Sequence, residues 1–592
     1  MTNRPFLETL KNYLPLKDPF FQNRWPLSVG IVSLLLVDFL QLLIPLVIKR
    51  AIDALTFGAA TPTLLFSCGA MITAIAAAMA LFRYLWRHLL FGHSRKVEES
   101  LRNRLYAHLQ TLSMAFYQKM KTGDLMARAS NDINAVRMAT GIGLVALTDG
   151  LVLGVAAIGF MIYINPFLTL IALIVAPFMI VFTRILTKRM SEGYERVQGK
   201  FSDLTERVRE AFAGIRVIKT YAREGWVYRK VEEEGGQYLS ENLRLAKTLG
   251  LFYPSIAVFT NVGLAVVIWM GGRLTILGHI TTGDFVAFIS YLNLLTWPML
   301  AIGWVTNLIQ RGSVSMRRIN RILQEVPEIV DRPGDHTVRR IKGTIRFEGL
   351  TFTYPEQQVP AIQDIRVTIE QGQTVALVGR VGSGKTTLLQ TIPHLFSIPP
   401  GTLFVDNIDI KGIPLSVLRG NIGFVPQEVV VFSDTVRNNV LFGRKGVSDE
   451  TLKRALKDAD FYEEVLDFKD GLDTLLGERG LTLSGGQRQR LTIARALIQD
   501  HPILILDDAL SMVDTRTEER ILNRLLELRD DKTNLIVSHR LSTITRADLV
   551  LVLERGELVE HGEHEVLLRE GREYARLYQR QVIAKELDAG GA

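Results

Sequence analysis

The run Gly379-Arg-Val-Gly-Ser-Gly-Lys385-Thr386 directly follows the apolar stretch Val375-Ala-Leu-Val378. In such a loop between a strand and a helix, glycines let backbone N–H groups wrap phosphate groups, and the helix N-terminus favours their negative charge. Lys385 is expected to contact the β- and γ-phosphates of ATP, and Thr386 is expected to ligate Mg²⁺. The residues predicted to bind nucleotide here are Gly379, Arg380, Val381, Gly382, Ser383, Gly384, Lys385, Thr386 and Thr387. The run therefore predicts an α/β domain of the phosphate-loop type.

Two adjacent carboxylates follow a second apolar run, Ile503-Leu-Ile-Leu506. Asp507 stands where a strand-end carboxylate serves Mg²⁺, although an aspartate at this point can also be a turn or cap residue. Asp508 stands where such sites usually place a glutamate that orients the attacking water, and its carboxylate is set back by one carbon–carbon bond, about 1.5 Å. A displacement of about 1 Å can lower a rate on the order of 10²-fold. We therefore expect this chain to bind ATP well and to hydrolyse it slowly at its own site.

Six apolar stretches before about residue 310 are long enough to cross a bilayer as helices. They are Trp25–Ile48, Leu64–Phe91, Ile142–Ile164, Phe167–Leu186, Phe252–Met270 and Phe285–Ile309. The overall hydrophobic fraction of 48% decides nothing, because soluble domains have a similar fraction. The alternative, a set of buried core helices in a soluble protein, is disfavoured because the centres of all six stretches are nearly free of charge.

Positive charge is concentrated in two long segments between these stretches, Gly92–Thr140 and Thr187–Gly250. By the positive-inside rule both segments are cytoplasmic, so both termini are expected in the cytoplasm, with the chain crossing the cell inner (plasma) membrane several times. Lys49 and Arg50 depart from the rule at the outer end of the first stretch. The net charge of +8 follows from the same pattern, so no nucleic-acid partner is predicted. The single cysteine, Cys68, excludes internal disulfides.

The sequence predicts four regions. Residues 1–24 are predicted to form an interfacial elbow segment on the inner leaflet, with a loosely ordered tail as the alternative. Residues 25–323 are the six-helix membrane domain with cytoplasmic coupling loops, 324–342 a charged linker with prolines, and 343–592 the nucleotide-binding domain. Five short apolar runs in the last region are predicted to be buried parallel strands: Val375–Gly379, Ile422–Val425, Ile503–Leu506, Asn534–Val537 and Leu549–Leu553.

The segment Leu483-Ser-Gly-Gly-Gln487 precedes a helix predicted to start near Arg488, and it resembles the signature motif of the ATP-binding cassette (ABC) family. Such a loop makes a second anion site at a helix N-terminus. In that family the motif closes over the ATP held by the phosphate loop of the partner subunit. The resemblance therefore implies that four residues bind nucleotide across a dimer interface: Ser484, Gly485, Gly486 and Gln487.

Further positions match the family in the expected order. The resemblance implies that Tyr354 stacks on adenine, that Gln427 senses Mg²⁺ and water, and that His539 contacts the γ-phosphate. It also implies that Asp514 crosses the dimer interface. For Tyr354 the alternative is a core or edge-strand position, and for His539 it is an incidental surface position. The predicted catalytic residues are Asp508, His539, Gln427 and Lys385, and the predicted metal ligands are Thr386, Gln427 and Asp507.

Six helices ahead of one nucleotide-binding domain resemble a half-size ABC exporter over almost the whole chain. Asp508 departs from the family's glutamate, as in the degenerate-site subunit of bacterial heterodimeric multidrug or lipid exporters. In a heterodimer, this chain would hold a slow ATP site and would complete its partner's fast site. In a homodimer, Asp508 would act as a weak base in two equivalent sites. The cargo is expected to be an amphipathic drug or lipid, and an ATP-gated channel or regulator fits the same motifs.

Two acidic residues, Asp38 and Asp149, lie inside predicted membrane helices, with Gln41, Asn293 and Trp297 as polar neighbours of a possible cavity. Ionisable residues at this depth are functional candidates. Two interpretations are open for each of them, helix–helix hydrogen bonding and contact with the substrate.

Overall fold

The computed structural model describes residues 11–331, 340–477, 483–538 and 544–590. The chain divides into two compact units. The first runs up to Gln110 and continues over Thr122–Glu325, and the second comprises Thr111–Lys121 and the chain from Val326 onward. The first unit is built from long helices, and the second contains two sheets and short helices.

Six long helices make up most of the first unit, and each contains a window that is apolar and long enough to cross a membrane. In chain order they are Arg24–Thr56, Pro62–Thr111, Thr122–Ile164, Pro166–Ala213, Glu224–Ile276 and Thr282–Leu323, here called the first to the sixth long helix. The prediction of six membrane helices is confirmed. Their lengths, up to 53 residues, exceed the roughly 20 residues that cross the hydrocarbon core, so each helix continues outside it.

Two of the long helices are not uniform α-helices. The third consists of Thr122–Ala127, Ile133–Met138 and Leu144–Ile164, joined by π-helical turns at Arg128–Asp132 and Ala139–Gly143. The fourth divides into Pro166–Leu173 and Val175–Ala213, and a short helix, Ile215–Thr220, leads to the fifth.

A buried carboxylate joins the third long helix to the sixth. Asp132 ends the first π turn and accepts hydrogen bonds from the Ser315 hydroxyl (2.8 Å) and from Nε of Arg318 (2.9 Å). Because the charge is both paired and hydrogen-bonded, its burial is tolerated.

Apolar side chains from the first, third, fourth, fifth and sixth long helices form one core. Met161, Leu168, Val267 and Phe288 are fully buried in it. Tyr291 of the sixth long helix is also buried, and its hydroxyl donates to the carbonyl oxygen of Leu42 at 2.8 Å. That bond satisfies the one polar group which this ring brings into the core.

The chain just before the first long helix packs against the sixth. It forms a 3₁₀ turn at Leu14–Leu16 and a short helix at Lys17–Gln22. Asn12 donates to the Ser313 hydroxyl (2.8 Å), and the Tyr13 hydroxyl donates to the carbonyl oxygen of Ile309 (3.0 Å). These contacts hold the described part of the predicted elbow segment, from residue 11 onward, in place.

The end of the first long helix is joined to the start of the sixth by a group of contacts that we call the helix 1–6 clasp: Lys49, Asp53, Thr281, Gly283 and Asp284. Lys49 Nζ lies 2.6 Å from Asp284 Oδ1. Asp53 accepts hydrogen bonds from the Thr281 hydroxyl (3.0 Å) and the Gly283 N–H (2.8 Å). Lys49, which departed from the positive-inside pattern, therefore has a carboxylate counter-ion.

The described residues of the second unit form ten strands. They are β1 (Ile345–Phe352), β2 (Ile362–Ile369), β3 (Thr374–Val378), β4 (Leu403–Val405), β5 (Ile408–Asp409), β6 (Ile422–Val425), β7 (Ile503–Asp507), β8 (Thr533–Val537), β9 (Leu549–Glu554) and β10 (Glu557–Gly562). One sheet has the order β10-β9-β3-β8-β7-β6, with β10 antiparallel and the other pairs parallel. The five runs predicted to be buried parallel strands are confirmed. A second, antiparallel sheet, β2-β1-β4-β5, was not predicted.

The second unit also contains short helices. They are Met114–Lys119, Lys385–Thr391, Leu415–Gly420, Val436–Leu441, Asp449–Asp458, Tyr462–Leu466, Gly485–Leu497, Thr515–Leu528, His564–Glu570 and Glu573–Gly590, with 3₁₀ turns at Ile410–Gly412 and Gly471–Asp473. The carboxyl ends of β3 and β7 lead directly into the two segments that were predicted to bind phosphate and metal.

Candidate nucleotide-binding site

The phosphate loop after β3 has a backbone that requires glycine. Gly379, Gly382 and Gly384 have φ angles of +150°, +81° and +98°, in a region that other residues rarely adopt. A Cβ on Gly384 would lie 2.6 Å from the carbonyl oxygen of Ala361. A Cβ on Gly379 would collide with the carbonyl oxygen of Leu553. These glycines therefore allow the loop to fold tightly at the end of the strand.

The ammonium group of Lys385 is folded back onto this loop. Its Nζ donates to the carbonyl oxygens of Gly379 (2.8 Å) and Arg380 (2.9 Å). Burial lowers the pKa of Lys385, and the negative charges of Asp507 and Asp508 oppose that shift. Because carbonyl groups are neutral acceptors, an anionic phosphate in the loop would be a stronger partner for this ammonium.

Asp507 ends β7 beside the phosphate-loop helix. Thr386 donates from its hydroxyl to Oδ1 of Asp507 at 3.0 Å, while the buried Oδ2 has no hydrogen-bond partner in the described part of the chain. Burial raises the pKa of Asp507, with a further rise from Asp508 and an opposing effect from Thr386 and Lys385. A carboxylate oxygen without a donor, next to a hydroxyl, is a set of hard oxygen ligands that suits Mg²⁺.

Asp508 follows β7 with a left-handed backbone, φ +50°. Its carbonyl oxygen accepts a hydrogen bond from the Ser511 hydroxyl at 3.0 Å. Gln489, which is 1% exposed, donates to that hydroxyl (3.1 Å) and accepts from the Met512 N–H (2.9 Å). The turn that carries Asp508 is thus held by the Gln489 side chain, which comes from the helix Gly485–Leu497.

Gln489 was not identified from the sequence, although a signal existed. It precedes Thr492 and Ala496 by three and seven residues, and both are buried, so the helical period placed it on an inward face. A buried glutamine needs hydrogen-bond partners, and here they are the residues just after Asp508.

Most of the residues predicted for this chain's own site line one cleft of about 620 Å³, although Gly379 and Arg380 do not. Its lining includes Tyr354, Gly382, Ser383, Gly384, Lys385, Thr386, Thr387, Gln427, Asp507 and Asp508. The Tyr354 hydroxyl lies 2.9 Å from the Thr387 hydroxyl, and its ring packs edge-on against Phe396, 5.4 Å between centroids. Tyr354 therefore meets the sheet core on one side and the cleft on the other. Lining residues that the sequence did not single out are Gln357, Val359, Pro360, Ala361, Val537 and Arg555.

The side chain of Arg380 points to a different partner. Its Nη2 lies 3.1 Å from Oε1 of Glu573, in the C-terminal helix. Arg380 thus contributes its backbone carbonyl to the loop, as the acceptor for Lys385, while its charge is paired with that carboxylate. Val381, by contrast, is 94% exposed at the edge of the cleft.

The signature segment forms a capped helix start outside this cleft. Ser484 accepts a hydrogen bond from the Gln487 N–H (3.2 Å), and the Gln487 side chain accepts one from the Ser484 N–H (2.8 Å). The helix therefore begins at Gly485, and the prediction of a start near Arg488 was wrong because this capping box makes the glycines its first turn. The side-chain amide of Gln487 also donates to Glu464 at 2.8 Å.

Asp514 is not among the residues that line the cleft. Asp514 caps the helix Thr515–Leu528 by accepting a hydrogen bond from the Thr517 N–H at 3.0 Å, and that bond lowers the pKa of Asp514. His539 lies outside the described residues.

Six membrane helices fused to a nucleotide cleft of this kind define a membrane transporter driven by ATP hydrolysis. Residues 27–299 match the family described as "ABC transporter transmembrane region", and residues 362–511 match that described as "ABC transporter". The chain belongs to the ABC transporter family and has the fold of a half-size exporter.

Similar proteins cover almost the whole chain. It is 37% identical over 578 residues to the probable multidrug resistance ABC transporter ATP-binding/permease protein YheI of Bacillus subtilis (strain 168), covering 96% of this chain and 98% of that protein. It is 35% identical over 487 residues to an ATP-dependent lipid A-core flippase of Syntrophus aciditrophicus (strain SB), and the match covers 82% of this chain and 81% of that protein. It also resembles the solved structure of a bacterial Atm1-family ABC exporter with ATP bound, with a TM-score of 0.76 and 26% sequence identity. The match covers 94% of this chain and 98% of the chain in that structure.

Proposed function

We propose that this chain is one subunit of an exporter that moves amphipathic drugs or lipids out of the cytoplasm or inner leaflet by alternating access. Support comes from the fusion of membrane and nucleotide-binding domains, and from similar proteins named for multidrug resistance and lipid A-core flipping. The basic segments between the helices favour a cytoplasmic nucleotide-binding domain and cytoplasmic termini in the inner (plasma) membrane. The proposed regions are 1–24, 25–323, 324–342 and 343–592, and the division of the chain at Glu325/Val326 lies within the proposed linker.

In the proposed site, the phosphate loop and Lys385 hold the β- and γ-phosphates, and Tyr354 holds the adenine. Thr386, Asp507 and Gln427 would hold Mg²⁺, which supplies positive charge against the phosphate oxygens. Oδ2 of Asp507, which has no hydrogen-bond partner among the described residues, supports this assignment. Asp508, Gln427, His539 and Lys385 form the proposed catalytic set.

A slow site is supported by the way in which Asp508 is held. Gln489 and Ser511 bind the turn around it, so the backbone has little freedom to move forward and compensate for the missing methylene. Aspartate consequently leaves its carboxylate about 1.5 Å short of the position that glutamate would reach. This is the observation that carries the proposal of a low-activity site.

The signature segment supports a division of labour between two different chains. Ser484, Gly485, Gly486 and Gln487 are intact and lie outside this chain's own cleft, so they are available to a partner's ATP. We propose that the partner is a second half-transporter with a catalytic glutamate, and that Asp514 lies at the shared interface.

Steady-state ATP hydrolysis tests this division. The purified chain alone should bind Mg-ATP and turn it over on the order of 10²-fold more slowly than the complex with such a partner. Rapid turnover by the homogeneous protein, abolished by Asp508→Asn, would instead support the homodimer with Asp508 as the base. Transport that proceeds in vesicles without hydrolysis would favour the channel or regulator.

A further inference from the structure

The hairpin turn between β9 and β10 lies against the phosphate loop. It consists of Arg555 and Gly556, whose φ angles are +50° and +89°. The Gly556 N–H donates to the carbonyl oxygen of Ser383 at 3.1 Å, and the Gly556 carbonyl oxygen accepts from the Gln363 N–H at 2.8 Å. These two bonds fix the turn to the phosphate loop on one side and to β2 on the other.

Arg555 occupies an unfavourable backbone position in this turn. Two positive φ angles in a two-residue hairpin are typical of the type I′ turn, in which asparagine followed by glycine is a preferred pair. The short side chain of asparagine can hydrogen-bond locally in this conformation, whereas the long side chain of arginine extends away from it. Residues held in such conformations cluster at functional sites, so the Arg555 side chain is a candidate for a function outside the turn itself.

The Arg555 side chain lies at the nucleotide cleft. It is exposed, and it lines the cleft in which Lys385 and Asp507 also lie. Within the described ranges, its guanidinium group has no hydrogen bond or ion pair, whereas the charge of Arg380 is paired with Glu573. A guanidinium group in this situation presents five N–H donors to a ligand.

The charges of the cleft indicate what that ligand is. Among the described residues that line it, Asp507 and Asp508 are acidic, and Lys385 and Arg555 are basic. Without Arg555, these side chains would leave the cleft with a net negative charge, which would repel an anionic nucleotide. Arg555 therefore balances the second carboxylate and favours the binding of phosphate groups.

The two cations approach the cleft from different parts of the phosphate loop. The Lys385 ammonium group lies at the start of the loop, 2.8 Å from the carbonyl oxygen of Gly379. The turn that carries Arg555 is bonded instead to Ser383, near the end of the loop. Arg555 is thus placed to contact phosphate groups that Lys385 does not fully neutralise.

We propose that Arg555 is a nucleotide-binding residue whose guanidinium group pairs with the α- and β-phosphates of ATP and ADP. Guanidinium groups suit this role because their planar array of donors matches phosphate oxygens. The inference rests on the nucleotide site proposed above and adds to it a residue from outside the phosphate loop. Since ADP retains both of these phosphates, Arg555 holds the product as well as the substrate.

Titration of the full chain in lipid nanodiscs tests this role, with Mg-ATP and Mg-ADP that carry a fluorescent methylanthraniloyl group. Arg555→Asn should weaken the binding of both nucleotides about tenfold, since each loses a charge-assisted pair. Arg569→Gln removes the same charge from an exposed position of the helix His564–Glu570 and should change neither affinity. Unchanged affinities in Arg555→Asn, or a loss for ATP alone, would contradict the proposal.

Thermal unfolding without nucleotide separates binding from support of the fold. Arg555→Asn places the preferred residue in the turn, so its unfolding midpoint should equal or exceed that of the wild type although its affinity for nucleotide falls. A lowered midpoint together with lost binding would assign Arg555 a purely structural role and would overturn the proposal. Arg555→Lys keeps the charge and should bind more tightly than Arg555→Asn, and equal binding by these two variants would contradict the role of charge.

Inorganic pyrophosphate distinguishes a phosphate contact from stacking on the base. It lacks adenine and ribose, so its competition with the labelled ADP should weaken in Arg555→Asn by about the same factor as ADP binding itself. Competition equal to that in the wild type would contradict a phosphate contact. Failure of the wild type to bind any nucleotide would overturn the nucleotide site, whereas equal binding by wild type and Arg555→Asn would overturn only the role of Arg555.

Discussion

Asp508 differs from glutamate by one methylene group, and its consequence depends on neighbours that the chain holds rigidly. Gln489 bonds both to Ser511 and to the Met512 N–H, and the backbone of Asp508 itself lies in the left-handed region. Aspartate tolerates that conformation better than most residues. The site therefore combines a phosphate loop with a carboxylate whose side chain is one methylene shorter than that of glutamate.

Lys385→Ala should abolish ATP binding in this chain's own cleft, because the β- and γ-phosphates lose their fixed cation. Nucleotide photolabelling of the full chain measures it. Arg380→Ala is the matched control, since that side chain pairs with Glu573 and its loss should leave the labelling nearly unchanged. Undiminished labelling of Lys385→Ala would show that the phosphate loop has been assigned wrongly.

Gln489→Met should lower the free energy of unfolding of the second unit by about 1–3 kcal/mol, because buried groups at Ser511 and Met512 lose their partner. It should also slow ATP turnover by loosening the turn that carries Asp508. Thermal unfolding of the full chain measures the first effect. Gln363→Met, at an exposed position of β2, is the control and should shift the midpoint little. Equal shifts for the two variants would argue against the positioning role of Gln489.

Strands that are apolar throughout could be predicted from the sequence. Strands and helix ends that depend on pairing or capping by other residues could not. The run Ile503–Leu506 is buried on both faces, so its composition alone indicated a central parallel strand. β2 mixes buried and exposed residues, and its pairing with β1 contains register shifts. The sequence therefore has no continuous apolar run that would have predicted the antiparallel sheet. The glycines of the signature segment suggested a loop, but the Ser484 capping box makes them helical.

The helix 1–6 clasp could not be predicted either, because it joins residues that are far apart in the sequence. Lys49 looked anomalous in the sequence because its partner, Asp284, lies more than 200 residues further along the chain. Lys385, Gln427 and Asp507, by contrast, are brought together because the parallel strands β3, β6 and β7 place their carboxyl-end residues at one edge. Gln489 lies two residues after the signature segment and Arg555 lies between β9 and β10, and neither position belongs to a motif that was recognised in the sequence.

Gly283→Ala should destabilise the first unit by about 1–3 kcal/mol, because its Cβ would lie 2.6 Å from Oδ1 of Asp53 and collide with the carbonyl oxygen of Lys49. Thermal unfolding of the purified chain in nanodiscs is the measurement. Gly272→Ala has open space around the added methyl group and should be neutral or slightly stabilising. A Gly283→Ala variant as stable as Gly272→Ala would show that the clasp is not tightly packed.

For the whole molecule, the proposed function requires two chains. This chain's cleft contains its phosphate loop and Asp508, whereas its signature segment lies outside that cleft. The proposed slow site and the intact signature segment fit together if a second chain supplies a catalytic glutamate. We propose that this chain contributes to turnover mainly through its partner's site.

The steady-state ATPase of the reconstituted pair tests that claim most directly, with two changes in this one chain. Ser484→Arg should nearly stop turnover, because a bulky cation would obstruct closure over the partner's γ-phosphate. Ser448→Arg removes a comparable helix cap, worth about 1 kcal/mol, and controls for that loss. Asp508→Asn should matter little if that site is slow, as proposed. If Asp508→Asn lowers turnover more than Ser484→Arg does, the proposed division of labour is wrong.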